Sequence, residues 1–226
     1  MVYWLCLACL LGIGKPAKAQ GSDPASNKYS TFYYQRATLF ETLPVTSEDI
    51  IFLGNSITNG CEWAELFQNP HVKNRGISGD VTMGVYDRLA PILQGKPAKI
   101  FLLIGINDVA RGLSADSIVA NVRKIAGKIR SESPGTRLYI QSLLPVTDHY
   151  HLFEGHTSRG ALIPEINAGL KEVAEASQAV YIDLYASFVD PATGKMNTAY
   201  TNDGLHLLGK GYLKWRDEIR PYLDAQ

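Results

Sequence analysis

Ser56 lies in Gly54-Asn55-Ser56-Ile57-Thr58, directly after the short apolar run Ile50-Ile51-Phe52-Leu53. A hydroxyl on such a strand-to-helix turn is exposed, and the backbone N–H beside it is one of the unpaired donors of a helix start. Serine is a weak nucleophile until a base takes its proton. His206 offers that base, and Asp203, three residues earlier in Asp203-Gly204-Leu205-His206, can curl back to hold the imidazole tautomer. Two more loops carry donors. In Asn74-Arg75-Gly76-Ile77-Ser78-Gly79-Asp80 the Gly79 N–H can approach a bound group closely, because no Cβ intervenes. In Gly105-Ile106-Asn107-Asp108 the Asn107 side chain presents an amide N–H. The set predicts acyl transfer, with Ser56 as nucleophile, His206 as base and Asp203 as its orienting acid. The N–H groups of Ser56 and Gly79 and the Asn107 amide form the predicted oxyanion hole.

Each residue also has a plainer reading: Ser56 as a helix cap, Asn107 as a turn former, His206 as a surface histidine. Asp183, which closes the run Val180-Tyr181-Ile182, is an alternative partner for His206 but reads better as an acid capping a loop. His149, His151 and His156 follow the fourth apolar run. A metal site needs tighter spacing and a carboxylate or thiol partner, so they are expected on a flexible loop at the rim of the site, without a metal. Arg111 and Arg159 either line the pocket or remain solvated.

The elements that must position these loops follow from periodicity. Ile50 to Leu53, a weaker run around Val72, Ile100 to Ile104, Leu138 to Ile140 and Val180 to Ile182 are continuously apolar, as strands buried on both faces of a parallel sheet are. Between them, apolar residues recur at helical spacing: Val85, Leu89 and Ile92; Ile118, Val122, Ile125 and Ile129; Ile163, Ile166, Leu170 and Val173; Tyr212, Trp215, Ile219 and Tyr222. A further helix is expected over Lys28 to Leu43. Five strands alternating with helices predict a three-layer α/β/α sandwich whose ligands bind beyond the carboxyl ends of the strands. That is where the four polar loops fall.

These four segments resemble blocks I, II, III and V of the SGNH (GDSL-like) hydrolase superfamily, with Ser56, Gly79, Asn107 and His206 in the family's order. The resemblance runs from about Asp49 to the C-terminal helix, and Asn74 to Leu89 is similar to the platelet-activating-factor acetylhydrolase catalytic-subunit branch. It implies a flavodoxin-like five-stranded sheet of order 2-1-3-4-5 and acyl-ester hydrolysis without a metal cofactor. One residue departs from the family pattern: Asn55 stands where the Asp of Gly-Asp-Ser is usual. No long apolar lid segment is evident, which disfavours a long-chain lipase. The expected substrate is a short acyl ester, acetyl on a carbohydrate foremost. A lysophospholipase or thioesterase is the alternative enzyme. A carbohydrate-binding module that has lost turnover is the non-enzyme alternative, against which the intact Ser56, Asp203 and His206 argue.

Bulk properties agree. With 226 residues, 46% of them hydrophobic and 19% charged, the chain suits one α/β domain with a full core. The 22 basic and 22 acidic residues balance, so nothing steers the chain to nucleic acid. Val2 to Gly14 is apolar but too short to span a bilayer, and Ala17-Lys18-Ala19 matches a signal-peptidase site. Residues 1–19 are therefore expected to be a cleaved signal, 20–27 a flexible N-terminus and 28–226 the hydrolase domain, secreted or periplasmic and without stable membrane insertion. Cleavage would leave Cys61 as the sole cysteine, expected as a buried helix residue that can form no internal disulfide. N-terminal sequencing of exported protein is expected to begin at Gln20; exported material still starting at Met1 would exclude this processing.

Overall fold

In the computed structural model, which describes residues 28–224, the apolar runs form strands β1 (Ile50–Gly54), β2 (Val72–Gly76), β3 (Lys99–Leu103), β4 (Arg137–Gln141) and β5 (Val180–Ile182). They pair in parallel in the order β2-β1-β3-β4-β5, the flavodoxin-like order. Strands β1 and β3 are buried along their whole length, which is why their sequences show no alternation. The helices, in chain order, are α1 (Thr31–Thr42), α2 (Ser56–Asn59), α3 (Trp63–Phe67), α4 (Thr82–Asp87), α5 (Ala90–Gln94), α6 (Ile106–Ala110), α7 (Ala115–Glu132), α8 (Glu154–Thr157), α9 (Ile163–Ser177), α10 (Tyr185–Phe188) and α11 (Gly209–Asp224). The expected signal (1–19) and flexible N-terminus (20–27) lie outside the described residues. Among the described residues, no helix is long and apolar enough to cross a membrane.

Handedness decides the layers. The chain steps from β1 to β2 in one direction and from β2 through β3 and β4 to β5 in the other. Right-handed crossovers then place α3 on one face and α4, α5, α7 and α9 on the opposite one. On the α3 face, Phe52, Phe101 and Tyr139 sit at matching register and stack, with ring centroids 5.0 and 4.4 Å apart. Trp63 of α3 stacks on Phe52 at 4.1 Å, and Trp215 of α11 meets Trp63 edge-on at 4.7 Å. Such pairs contribute about 0.5–1.5 kcal/mol each beyond their burial. The Trp215 indole donates to Gln141 Oε1 at 2.7 Å, so its polar edge is satisfied. The apolar stripes of α7 and α9 are buried at the positions their spacing predicts.

Four details differ from expectation. Helix α1 starts at Thr31, not Lys28, because Ser30 Oγ accepts from the Tyr33 N–H at 3.1 Å and caps it. Val85, Leu89 and Ile92 are all buried, but α4 and α5 divide them. The chain breaks at Arg88, which turns inward, and Pro91, lacking an N–H, suits the first turn of α5. Cys61 is buried in the bend between α2 and α3 rather than in a helix, and burial pushes its thiol up to about 12. A small hairpin, β6 (Val189–Asp190) with β7 (Lys195–Met196), was not foreseen.

The inward turn of Arg88 ties the loop ends together. Its Nε donates to Asp80 Oδ2 at 2.8 Å, Nη1 to the Arg75 carbonyl at 2.9 Å and Nη2 to the Gly54 carbonyl at 3.0 Å. Burial pushes the Asp80 carboxyl up to about 6, although Arg88 and the Val81 N–H pull it down. Arg88→Leu would strip Asp80 Oδ2 and the Arg75 and Gly54 carbonyls of their guanidinium donors, leaving the buried carboxylate with the Val81 N–H on Oδ1 and no cation beside it. It is expected to cost about 3–5 kcal/mol in urea unfolding. Asp80 already holds its proton to a higher pH than in an unfolded chain, so its ionisation costs stability as pH rises through the folded value. Without Arg88 that value climbs further, and the deficit should be smaller at pH 5 than at pH 8. Equal deficits at both pH values would show that Asp80 does not carry the effect.

Candidate active site

The parallel register brings the polar loops out side by side, since Gly54 pairs with Gly76 on one flank and with Leu103 on the other. Gly54 permits the turn into α2: a Cβ there would collide with the Leu103 carbonyl and the Thr58 hydroxyl. Asn55 is fully buried, and its Oδ1 caps α2 by accepting from the Ile57 N–H at 3.1 Å. A cap needs only one acceptor oxygen, so Asn performs it as Asp would. The remaining Nδ2 is buried with no hydrogen-bond partner among the described residues, which costs about 1–3 kcal/mol. Ser56, half-buried, is the first residue of α2.

His206 Nε2 lies 3.0 Å from Ser56 Oγ, and His206 Nδ1 lies 2.8 Å from Asp203 Oδ2. A carboxylate only accepts, so Nδ1 carries the proton and Nε2 is left to accept from the serine hydroxyl. The other oxygen, Asp203 Oδ1, accepts the N–H groups of Leu205 at 2.9 Å and His206 at 2.7 Å. Burial pulls the Asp203 carboxyl upward, but these two N–H groups and the His206 ring outweigh it and hold the group below its ordinary range. The arrangement can accept a proton from Ser56 and stabilise the resulting imidazolium. Asp183, by contrast, is exposed and accepts from the Ala186 N–H at 3.2 Å, in the first turn of α10.

The other predicted residues meet through Asp80. Gly79 is exposed with φ +79°, a conformation that favours glycine, and a Cβ there would touch nothing within 4 Å. The glycine is therefore set by backbone conformation and not by crowding from the protein. Asn107 is buried at the start of α6, and its Nδ2 donates to the Asp80 carbonyl at 2.8 Å. The carboxylate of the next residue, Asp108, accepts from the Thr82 N–H at 3.0 Å and from its hydroxyl, tying α6 to the start of α4. Arg111 is exposed and donates from Nη2 to the Gly79 carbonyl at 3.1 Å. The three loop histidines do not converge. His149 packs edge-on to Tyr150, whereas His156, on α8, places Nε2 2.9 Å from Asn107 Oδ1. The expected flexible loop thus contains a helix against α6. Among the described residues, no group of three His, Cys, Asp or Glu could hold a metal.

Sequence reasoning missed Asp80, Arg88, Asp108 and His156 as parts of this network. Asp80 and Arg88, two of the three charged residues in the otherwise largely apolar stretch Asp80 to Leu93, are the available signal for the first pair. Nothing in the spacing of His156, 49 positions from Asn107, marks that contact.

The chain is similar to known proteins in sequence and in fold. The profile of the GDSL-like Lipase/Acylhydrolase family matches residues 52–214. The human platelet-activating factor acetylhydrolase IB subunit alpha1 is 28% identical over 73% of this chain and 70% of its own length. A Streptococcus pneumonia structure named for platelet activating factor is 29% identical, covers 85% of this chain and 92% of its own, and superposes with a TM-score of 0.78. A catalytic mutant of an acetylxylan esterase from Geobacillus stearothermophilus shares the fold at 16% identity, with a TM-score of 0.64 over 80% of this chain and 96% of its own.

Asp203→Asn replaces the orienting anion by an amide and is expected to lower kcat by about 10³- to 10⁴-fold, while Asp183→Asn leaves kcat near that of the parent. Steady-state kinetics on the two variants decide which acid serves His206. The reverse ranking would transfer that role to Asp183.

Proposed function

The chain belongs to the GDSL-like lipase/acylhydrolase family, and on that footing we propose that it is a serine esterase removing short acyl groups, acetyl foremost, from hydroxylated substrates such as carbohydrates. The observation that carries the reading is the relay from Ser56 Oγ through His206 to Asp203, at 3.0 and 2.8 Å. In the proposed reaction His206 takes the Ser56 proton as the hydroxyl attacks the ester carbonyl. The N–H groups of Ser56 and Gly79 and the Asn107 amide hold the oxyanion. His206 then protonates the departing alcohol, and water, activated by the same imidazole, releases the acid from the acyl-enzyme.

The acyl preference draws on the names of the similar proteins. The curated relatives are acetylhydrolases of platelet-activating factor, and the fold neighbour is an acetylxylan esterase. Their alcohols differ, and acetyl is common to both. Export, supported by the sequence of residues 1–19, accords with a substrate met outside the cytoplasm. A lysophospholipase is the second reading, favoured by the exposed apolar side chains of Leu152, Phe153 and Leu208, since Phe153 lies edge-on to His206 at 5.0 Å.

A series of p-nitrophenyl esters separates the two. For the acetylesterase, kcat/KM should be highest with acetate and fall about tenfold or more by octanoate. Acetylated xylo-oligosaccharides should release acetate, and Ser56→Ala should abolish both activities. A preference for octanoate or lysophosphatidylcholine would select the lipid reading, and an active Ser56→Ala variant would remove Ser56 as nucleophile.

A further inference from the structure

Asn107 and His156 determine each other's hydrogen-bonding roles. The Asp80 carbonyl can only accept, so the Asn107 atom 2.8 Å from it is the amide nitrogen. That leaves Oδ1, also only an acceptor, facing His156 Nε2 at 2.9 Å, and Nε2 must carry a proton. One of the two Nδ2 hydrogens is used by Asp80, and the other remains free to donate.

The histidine is itself held. It lies half-buried on α8, with its backbone N–H donating to the Phe153 carbonyl at 2.8 Å. Phe153 has φ +51°, a strained choice for a bulky residue, and its ring packs edge-on to both His156 at 5.9 Å and His206 at 5.0 Å. Burial and then the nearby His206 hold the His156 imidazole below its ordinary range, against an upward pull from the Phe153 carbonyl. Near neutral pH the donor is therefore the uncharged ring, which adds no cation to compete with a protonated His206.

We propose that His156 is a positioning residue for the esterase reaction: its Nε2–H locks and polarises the Asn107 carboxamide so that the free Nδ2–H faces the developing oxyanion. The inference rests on the reading of Asn107 as an oxyanion donor. An amide that accepts at oxygen becomes a better donor at nitrogen, because the hydrogen bonds in the chain polarise one another. It also loses the freedom to rotate and present Oδ1 to a negative charge.

The test is a double-mutant cycle with p-nitrophenyl acetate, using His156→Phe, His156→Gln, Asn107→Ala and the double variant Asn107→Ala/His156→Phe. Phe fills the space without a donor, and Gln keeps an N–H near the position of Nε2. Asn107→Ala is expected to lower kcat by about a hundredfold or more. His156→Phe should lower kcat about tenfold with KM nearly unchanged, and Gln should restore most of it. In the Asn107→Ala background, His156→Phe should cost nothing further. A normal kcat in His156→Phe, failure of Gln to restore it, or losses that multiply in the double variant would each overturn the proposal while leaving Asn107 in its role. A near-normal kcat in Asn107→Ala would instead remove the oxyanion reading itself. If His156→Phe does not fold, the amide proton shifts of Asn107 in His156→Gln and the parent enzyme decide. They should stay alike, and a large change would overturn the proposal.

Discussion

Arg88 is buried where three chain segments end, and its guanidinium reaches Gly54 before the nucleophile turn, Arg75 near the end of β2 and Asp80 in the following loop. Only arginine offers several donors in one rigid plane, so a single side chain fixes the relative height of two strand ends and one loop. The consequence passes onward. Asp80, held by its carboxylate, turns its carbonyl to Asn107, and Asn107 in turn meets His156. The geometry of the proposed oxyanion site thus originates in a cation that touches none of the proposed reacting groups.

The carboxylates divide by environment. Asp80 and Asp108 are buried, and desolvation raises both, although each is fully hydrogen-bonded. They act as fasteners: one binds a guanidinium, the other the N–H and hydroxyl of Thr82. Asp203 sits in a more open turn, where two N–H groups and the imidazole hold it ionised. An acid that must stay an anion beside a histidine is better served by that turn than by the core.

The strands and the long helices could be read from the chain because their signals are local. A run such as Ile100 to Ile104 has one plausible fate, and the stripes of α7 and α9 repeat at a single period. The same logic failed at Val85, Leu89 and Ile92: their spacing continues through Arg88, but the backbone does not, because the arginine satisfies carbonyls distant in sequence. Ser56, Asp203, His206, Gly79 and Asn107 are legible because each occupies a loop following an apolar run or shares a short motif. Asp80 and His156 act through contacts between loops, and no one-dimensional pattern encodes such a meeting. Asn55 shows the limit in another way. Its replacement of the family's usual Asp was visible, but the unpartnered Nδ2 became visible only once the surrounding backbone was in place.

The bend that buries Cys61 has a consequence for the redox chemistry of the domain. It is the sole cysteine among the described residues, and burial keeps its thiol protonated far above neutral pH. The thiolate is the species that attacks disulfides and peroxides, and it is scarcely populated here. Among the described residues there is no disulfide to lose and no second thiol to form one, so the folded form keeps one covalent structure in oxidising and reducing surroundings alike. The thiol becomes reactive only when this bend opens, so its modification reports unfolding of the domain and not the redox state around the folded form.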